Sequence, residues 1–131
     1  MDSMNSFYRS ADWKSEKHVP VIDAPEQVAA GEECTVTIAI GKEIPHPNKT
    51  EHHIRWIELY FKPDGATFPV QIGRVDFTAH GEAVEGLDQS GIYTSHCAVF
   101  RFKTNRSGTL AAGSYCNIHG LWENSRPLTV G

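Results

Sequence analysis

Cys34-Thr35-Val36-Thr37-Ile38-Ala39-Ile40 sets Cys34, Val36, Ile38 and Ile40 at alternate positions, so the four side chains share one face of an extended segment. Val and Ile are stiff at the first side-chain torsion and suit a pleated, half-buried surface, so this face is expected in the core. Working outward, His53 to Phe61, Phe68 to Phe77, Ile92 to Lys103 and Ser107 to Cys116 are further strand candidates, each rich in β-branched or aromatic residues. Turn chemistry separates these runs at Pro63-Asp64-Gly65, Gly86-Leu87-Asp88, Asn105-Arg106-Ser107-Gly108 and Asn124-Ser125-Arg126-Pro127. No segment sustains a helical period over three turns, although one turn of helix fits near Ser10 to Ser15. Short strands at this spacing predict an all-β sandwich.

A chain of 131 residues suits one domain, residues 1–131, able to bury a core without disulfides. With 40% hydrophobic and 21% charged residues and no long apolar run, the composition argues for a soluble globular protein and against disorder or membrane insertion. The net charge of -4 argues against a nucleic-acid surface, so an anionic ligand must be drawn by a local basic patch. Met1 to Trp13 shows no basic start, apolar stretch and small-residue cleavage site, and a cytoplasmic location is expected. Cys34, Cys97 and Cys116 are odd in number and include no Cys-x-x-Cys pair, which leaves reduced thiols as the simplest expectation.

Chemistry is concentrated in the histidines. Of seven, His18, His46, His52, His53 and His119 fall in turn-like segments or at strand ends, where the loops of a sandwich converge. In Cys116-Asn117-Ile118-His119-Gly120 a thiolate and an imidazole three residues apart can reach one metal across a tight turn. Taken alone, that pair is equally an ordinary buried cysteine beside a surface histidine. In Ile44-Pro45-His46-Pro47-Asn48-Lys49-Thr50-Glu51-His52-His53 two prolines stiffen the backbone around His46, and the loop returns a second imidazole. His52 and His53 must point to opposite faces of an extended run, and periodicity does not choose between them. Glu16-Lys17-His18-Val19-Pro20 would set a carboxylate, a cation and an imidazole side by side. The last two segments alone also read as solvated surface stretches; the functional reading rests on the three together.

Glu16 to Pro20, Gly41-Lys42-Glu43-Ile44-Pro45-His46-Pro47, Glu51-His52-His53-Ile54 and Ser114-Tyr115-Cys116-Asn117-Ile118-His119-Gly120-Leu121-Trp122 together resemble the signature segments of the desulfoferrodoxin family of superoxide reductases, over nearly the whole chain. The resemblance implies an immunoglobulin-like antiparallel sandwich with one non-haem iron at its loop end. It implies His18, His46, His52 and His119 as equatorial ligands, with His52 preferred to His53, and Cys116 as the axial thiolate. Cysteines of an added rubredoxin-like domain do not occur, so the chain resembles the one-iron, neelaredoxin-like form. His80, His96, Cys34 and Cys97 match no ligand position and are read as structural, the two cysteines as small apolar strand residues.

The implied reaction is the one-electron reduction of superoxide to hydrogen peroxide, with electrons from rubredoxin or a similar small donor. Cys116 would push electron density through the iron toward the substrate. Lys17 would concentrate the anion and help deliver a proton, with Lys49 adding to the patch, and Glu16 would become a ligand of ferric iron. A homo-oligomer, most often a tetramer, is also implied. Two readings from other classes compete. A blue-copper carrier would want an axial methionine, but Met1 and Met4 lie far from the Cys116 turn in sequence. A structural zinc module would leave Glu16 and Lys17 beside a ligand without a purpose.

Overall fold

The alternation of the Cys34 segment is realised as strand β3 (Glu33–Ala39), which buries Cys34, Val36 and Ile38 and leaves Thr35 exposed. The computed structural model describes all 131 residues and contains seven further strands: β1 (Val21–Asp23), β2 (Gln27–Val28), β4 (Ile54–Pro63), β5 (Val70–Asp76), β6 (Cys97–Lys103), β7 (Gly108–Cys116) and β8 (Gly120–Val130). They form two sheets, one ordered β1-β3-β6 and the other β2-β8-β7-β4-β5. All neighbours are antiparallel except β2 and β8, which run parallel over two residue pairs. The all-β sandwich is therefore as expected.

The core fills the space between the sheets. Val36, Ile38, Ala98 and Phe100 come from the smaller sheet, and Ile57, Leu59, Phe61, Leu110, Ala112 and Leu128 from the larger. Burying each large aliphatic side chain contributes about 1.5–3 kcal/mol, so this set carries much of the stability. A register shift in the β4–β7 ladder between Ile54 and Trp56 lets Ile54 and Ile57, three apart, both face inward. Such a bulge bends the strand at its entry, next to the His52-His53 pair.

Three local expectations differ from the structure. The one helix is α1 (Met4–Phe7), not a turn near Ser10 to Ser15, which forms isolated turns. It buries no residue and is too short to be sustained by propensity. Asn124-Ser125-Arg126-Pro127 is not a turn but the middle of β8. There Asn124 donates to the Pro20 carbonyl and Arg126 to the Ile22 carbonyl, so polar side chains on the inward side find backbone partners on the N-terminal segment. Pro127 is tolerated because β8 is paired on one side only at that point, β2 reaching it at Thr129 and Val130. The Ile92-to-Lys103 strand begins only at Cys97; Ile92 to Thr94 instead bond back to Ala79 and Gly81 in a local loop. Cys34 and Cys97 both lie in strands, Cys34 buried in β3 and Cys97 exposed at the start of β6.

No helix is long and apolar enough to cross a membrane. The segment before β1, the long connection from β3 to β4 and the turn from β7 to β8 all lie at one end of the sandwich, because antiparallel strands alternate direction.

Candidate metal centre

Those three segments deliver four imidazoles and one thiol to a single place. Ring centroids of His18 and His119 are 4.7 Å apart, His119 and His52 5.0 Å, His52 and His46 4.9 Å, and His46 and His18 4.8 Å. The four rings thus stand at the corners of a closed, nearly equal-sided quadrilateral. Cys116 Sγ lies 3.5 Å from His46 Nε2 and 4.0 Å from His119 Nδ1. Donor atoms of His18, His52, Cys116 and His119 fall within 4.8 Å of one another. His46 is outside that tightest set and joins the cluster through its contact with the sulfur and its ring neighbours.

Local chemistry fixes how each group faces inward. Cys116 ends β7 in the core-facing row of Leu110, Ala112 and Ser114, and is fully buried. The chain then turns through Asn117 to His119, with Gly120 at φ 81°, a left-handed backbone that glycine adopts without cost. That turn points the His119 backbone N–H at Cys116 Sγ, 3.4 Å away, and aims His119 Nδ1 inward. His18 donates Nδ1–H to Glu16 Oε1 at 2.6 Å, and His46 donates Nδ1–H to the Pro47 carbonyl at 2.6 Å. Since a carboxylate and a carbonyl only accept, both rings keep the lone pair on Nε2, the atom facing the cluster. Gly41, at φ 75°, packs so closely that an added Cβ would stand 2.6 Å from the His46 backbone nitrogen. His52 and His53 do diverge: His52 Nε2 lies 3.2 Å from His119 Nδ1, while His53 turns to the opposite side, stacks on His80 at 3.4 Å and donates to the Lys49 carbonyl.

Burial is the main cause keeping His18, His46 and His52 neutral. It pushes His46 down to about 3 and lowers His18 and His52, with neighbouring imidazoles and Lys17 acting in the same direction on the latter two. For Glu16 burial opposes ionisation, but the side-chain and backbone hydrogen bonds from His18 outweigh it and hold the carboxyl below its ordinary value. Neutral imidazoles whose lone pairs converge make a cation site. The spacing also fits. Two nitrogens at right angles, each about 2.1 Å from one metal, stand roughly 3 Å apart. His119 Nδ1 is 3.2 Å from both His18 Nε2 and His52 Nε2. Access is one-sided, with Cys116, His18 and His46 buried, His52 half-buried and His119 exposed.

Two supporting residues, Trp122 and Asn117, carry no role in the sequence reading, and Pro47, expected only to stiffen the backbone, has a second one. Trp122 stacks on His18 at 5.0 Å and donates its indole N–H to the His119 carbonyl. Asn117 accepts from the His53 N–H and donates to the Glu51 carbonyl, bracketing His52. Pro47 supplies the carbonyl that orients His46. Trp122 and Asn117 lie inside the Ser114-to-Trp122 segment, which was the available signal. His96 stands behind His46 at 5.8 Å, and Cys34 and Cys97 lie in strands β3 and β6.

A β-sandwich that gathers four imidazoles and a thiol at one solvent-facing end presents a mixed nitrogen and sulfur donor set that could hold a metal ion. The chain belongs to the desulfoferrodoxin family, whose model matches residues 10–125. It is 60% identical over 120 residues to the superoxide reductase of Pyrococcus furiosus, covering 92% of this chain and 94% of that one. It is 50% identical over 127 residues to neelaredoxin of Megalodesulfovibrio gigas, covering 97% and 98%. The solved structure of superoxide reductase (neelaredoxin) from Archaeoglobus fulgidus in the reduced form superposes with a TM-score of 0.89 at 54% identity, covering 95% of this chain and 99% of that one.

Proposed function

We propose that this protein is a superoxide reductase that holds one iron between His18, His46, His52, His119 and Cys116 and converts superoxide, with one electron and two protons, to hydrogen peroxide. The closed quadrilateral of imidazoles with the Cys116 sulfur beside it carries this reading, together with family membership. Iron bound there would supply a one-electron couple and, with five protein ligands, one open position.

The chain's own residues provide the rest. Cys116, buried beneath the imidazoles and receiving the His119 N–H on its sulfur, would bind the iron through Sγ, the metal itself displacing the thiol proton. Glu16 orients His18 through its Nδ1–H and raises the basicity of that ring. Lys17, half-buried one residue before His18, places a positive charge by the site in a molecule of net charge -4 and offers a proton source at Nζ. Lys49, exposed in the loop between His46 and His52, extends the same basic rim. A role for Glu16 as a ligand of ferric iron would require it to leave His18, which makes the Glu16 segment the part expected to move. The electron is supplied by rubredoxin or a similar small carrier docking at this open end.

The test is product stoichiometry on the iron-loaded, pre-reduced protein mixed with a pulse of superoxide. A reductase yields one peroxide for each superoxide consumed and leaves the iron ferric. A yield of one peroxide for every two superoxides would make the protein a dismutase.

A further inference from the structure

The loop between β5 and β6 crosses to the metal end and meets the β3–β4 connection at Thr50. Asp88 is the only non-glycine residue with a left-handed backbone, φ 59°. That conformation is uncommon outside glycine, asparagine and aspartate, and it persists where surrounding contacts demand it. Asp88 Oδ1 accepts the Thr50 backbone N–H at 2.9 Å and the Tyr93 hydroxyl at 3.0 Å. The Asp88 backbone N–H donates to Thr50 Oγ1 at 3.1 Å, and Thr50 Oγ1 donates to the His80 carbonyl at 2.7 Å. Both polar groups of Thr50 that face this loop are thus engaged by it.

Thr50 sits at the tip of a closed turn. Lys49 N–H donates to the His52 carbonyl at 3.0 Å and His52 N–H to the Lys49 carbonyl at 3.1 Å, which leaves Thr50 and Glu51 as the two residues between. Fixing Thr50 therefore anchors the closed turn from whose base His52 projects toward His119. Asn117 holds the other flank through Glu51 and His53. We infer that Asp88, distant in sequence from every ligand segment, is a positioning residue that sets His52 for metal binding through Thr50; this rests on His52 being a ligand.

Ferrous-iron affinity, measured by chelator competition, tests it alongside thermal unfolding of the metal-free forms. Asp88→Gly keeps the left-handed backbone and removes the acceptor; it is expected to weaken iron binding about 10–100-fold. Asp88→Asn keeps both the backbone preference and an acceptor oxygen, and is expected to restore affinity close to that of the unaltered protein. A lowered melting point in D88G with unchanged iron affinity would overturn the inference, since a merely structural contact would behave that way. Should D88G fail to fold, Thr50→Val removes the hydroxyl links at nearly constant volume. A several-fold loss of affinity supports the inference there, and equal affinity overturns it. His52→Ala separates the two layers. If it loses iron affinity while D88G does not, the Asp88 role alone fails; if it binds iron unchanged, the ligand assignment fails and the inference falls with it.

Discussion

Cys116 occupies the most buried corner of the cluster, and its replacement is the sharpest single-residue test of the site's chemistry. Cys116→Ser keeps the size but offers a hydroxyl that stays protonated, so the thiolate-to-ferric absorption should vanish and superoxide reduction should fall steeply, while the core loses little volume. Lys17 acts through charge. Lys17→Ala is expected to slow superoxide consumption about tenfold at low ionic strength, and rates across a salt series should converge as screening removes the lysine's advantage. A constant ratio at all salt concentrations would mean that Lys17 serves proton delivery alone. Asp88 gives a pH signature. Its carboxyl is held below the ordinary value of 3.8, chiefly by the Thr50 backbone N–H. A folded value below the unfolded one stabilises fully above about 3.8, and that contribution is lost as pH falls through the folded value. Melting points of metal-free D88G and the unaltered protein should therefore draw together in acid below that point and stay apart above it.

Among the elements, the connection from β3 to β4 does most to shape the site, since it carries His46 and His52 and is braced at Gly41, Thr50 and Asn117. Gly41→Ala forces a left-handed backbone on alanine and drives its Cβ into the His46 nitrogen. A loss of about 1–3 kcal/mol in stability is expected, with weaker metal binding, by denaturant unfolding and chelator competition. Much of this architecture was legible in sequence because it is local. The alternation at Cys34 to Ile40 gives β3, and Cys-x-x-His before a glycine gives the β7–β8 turn. The central part of β8 was not legible. Asn124 and Arg126 look like turn residues until Pro20 and Ile22, more than a hundred positions earlier, present carbonyls to them. The bracing of His52 was hidden for the same reason: Asp88 and Asn117 reach it through hydrogen bonds between segments remote in sequence, which no periodicity records. Periodicity also left His52 and His53 undecided; the family resemblance preferred His52, and the fold, with His53 stacked on His80, gives the two rings different surroundings.

For the whole molecule, two sheets hold a rigid core and hand the chemistry to loops at one end, open on the His119 side and with the Lys17 charge beside His18 and His52. Three chain segments meet there, so a metal joining them should stabilise the fold. Iron at about 100 times its dissociation constant should add roughly 2.7 kcal/mol to the unfolding free energy, read as a higher melting point with iron than with chelator. The most direct test of the central claim is the visible absorption of the purified protein, oxidised and then reduced, with metal content determined on the same sample. One iron per chain and a thiolate-to-ferric band that bleaches on reduction are predicted. Stoichiometric zinc and a colourless protein in both states would contradict the account and make the cluster a structural site.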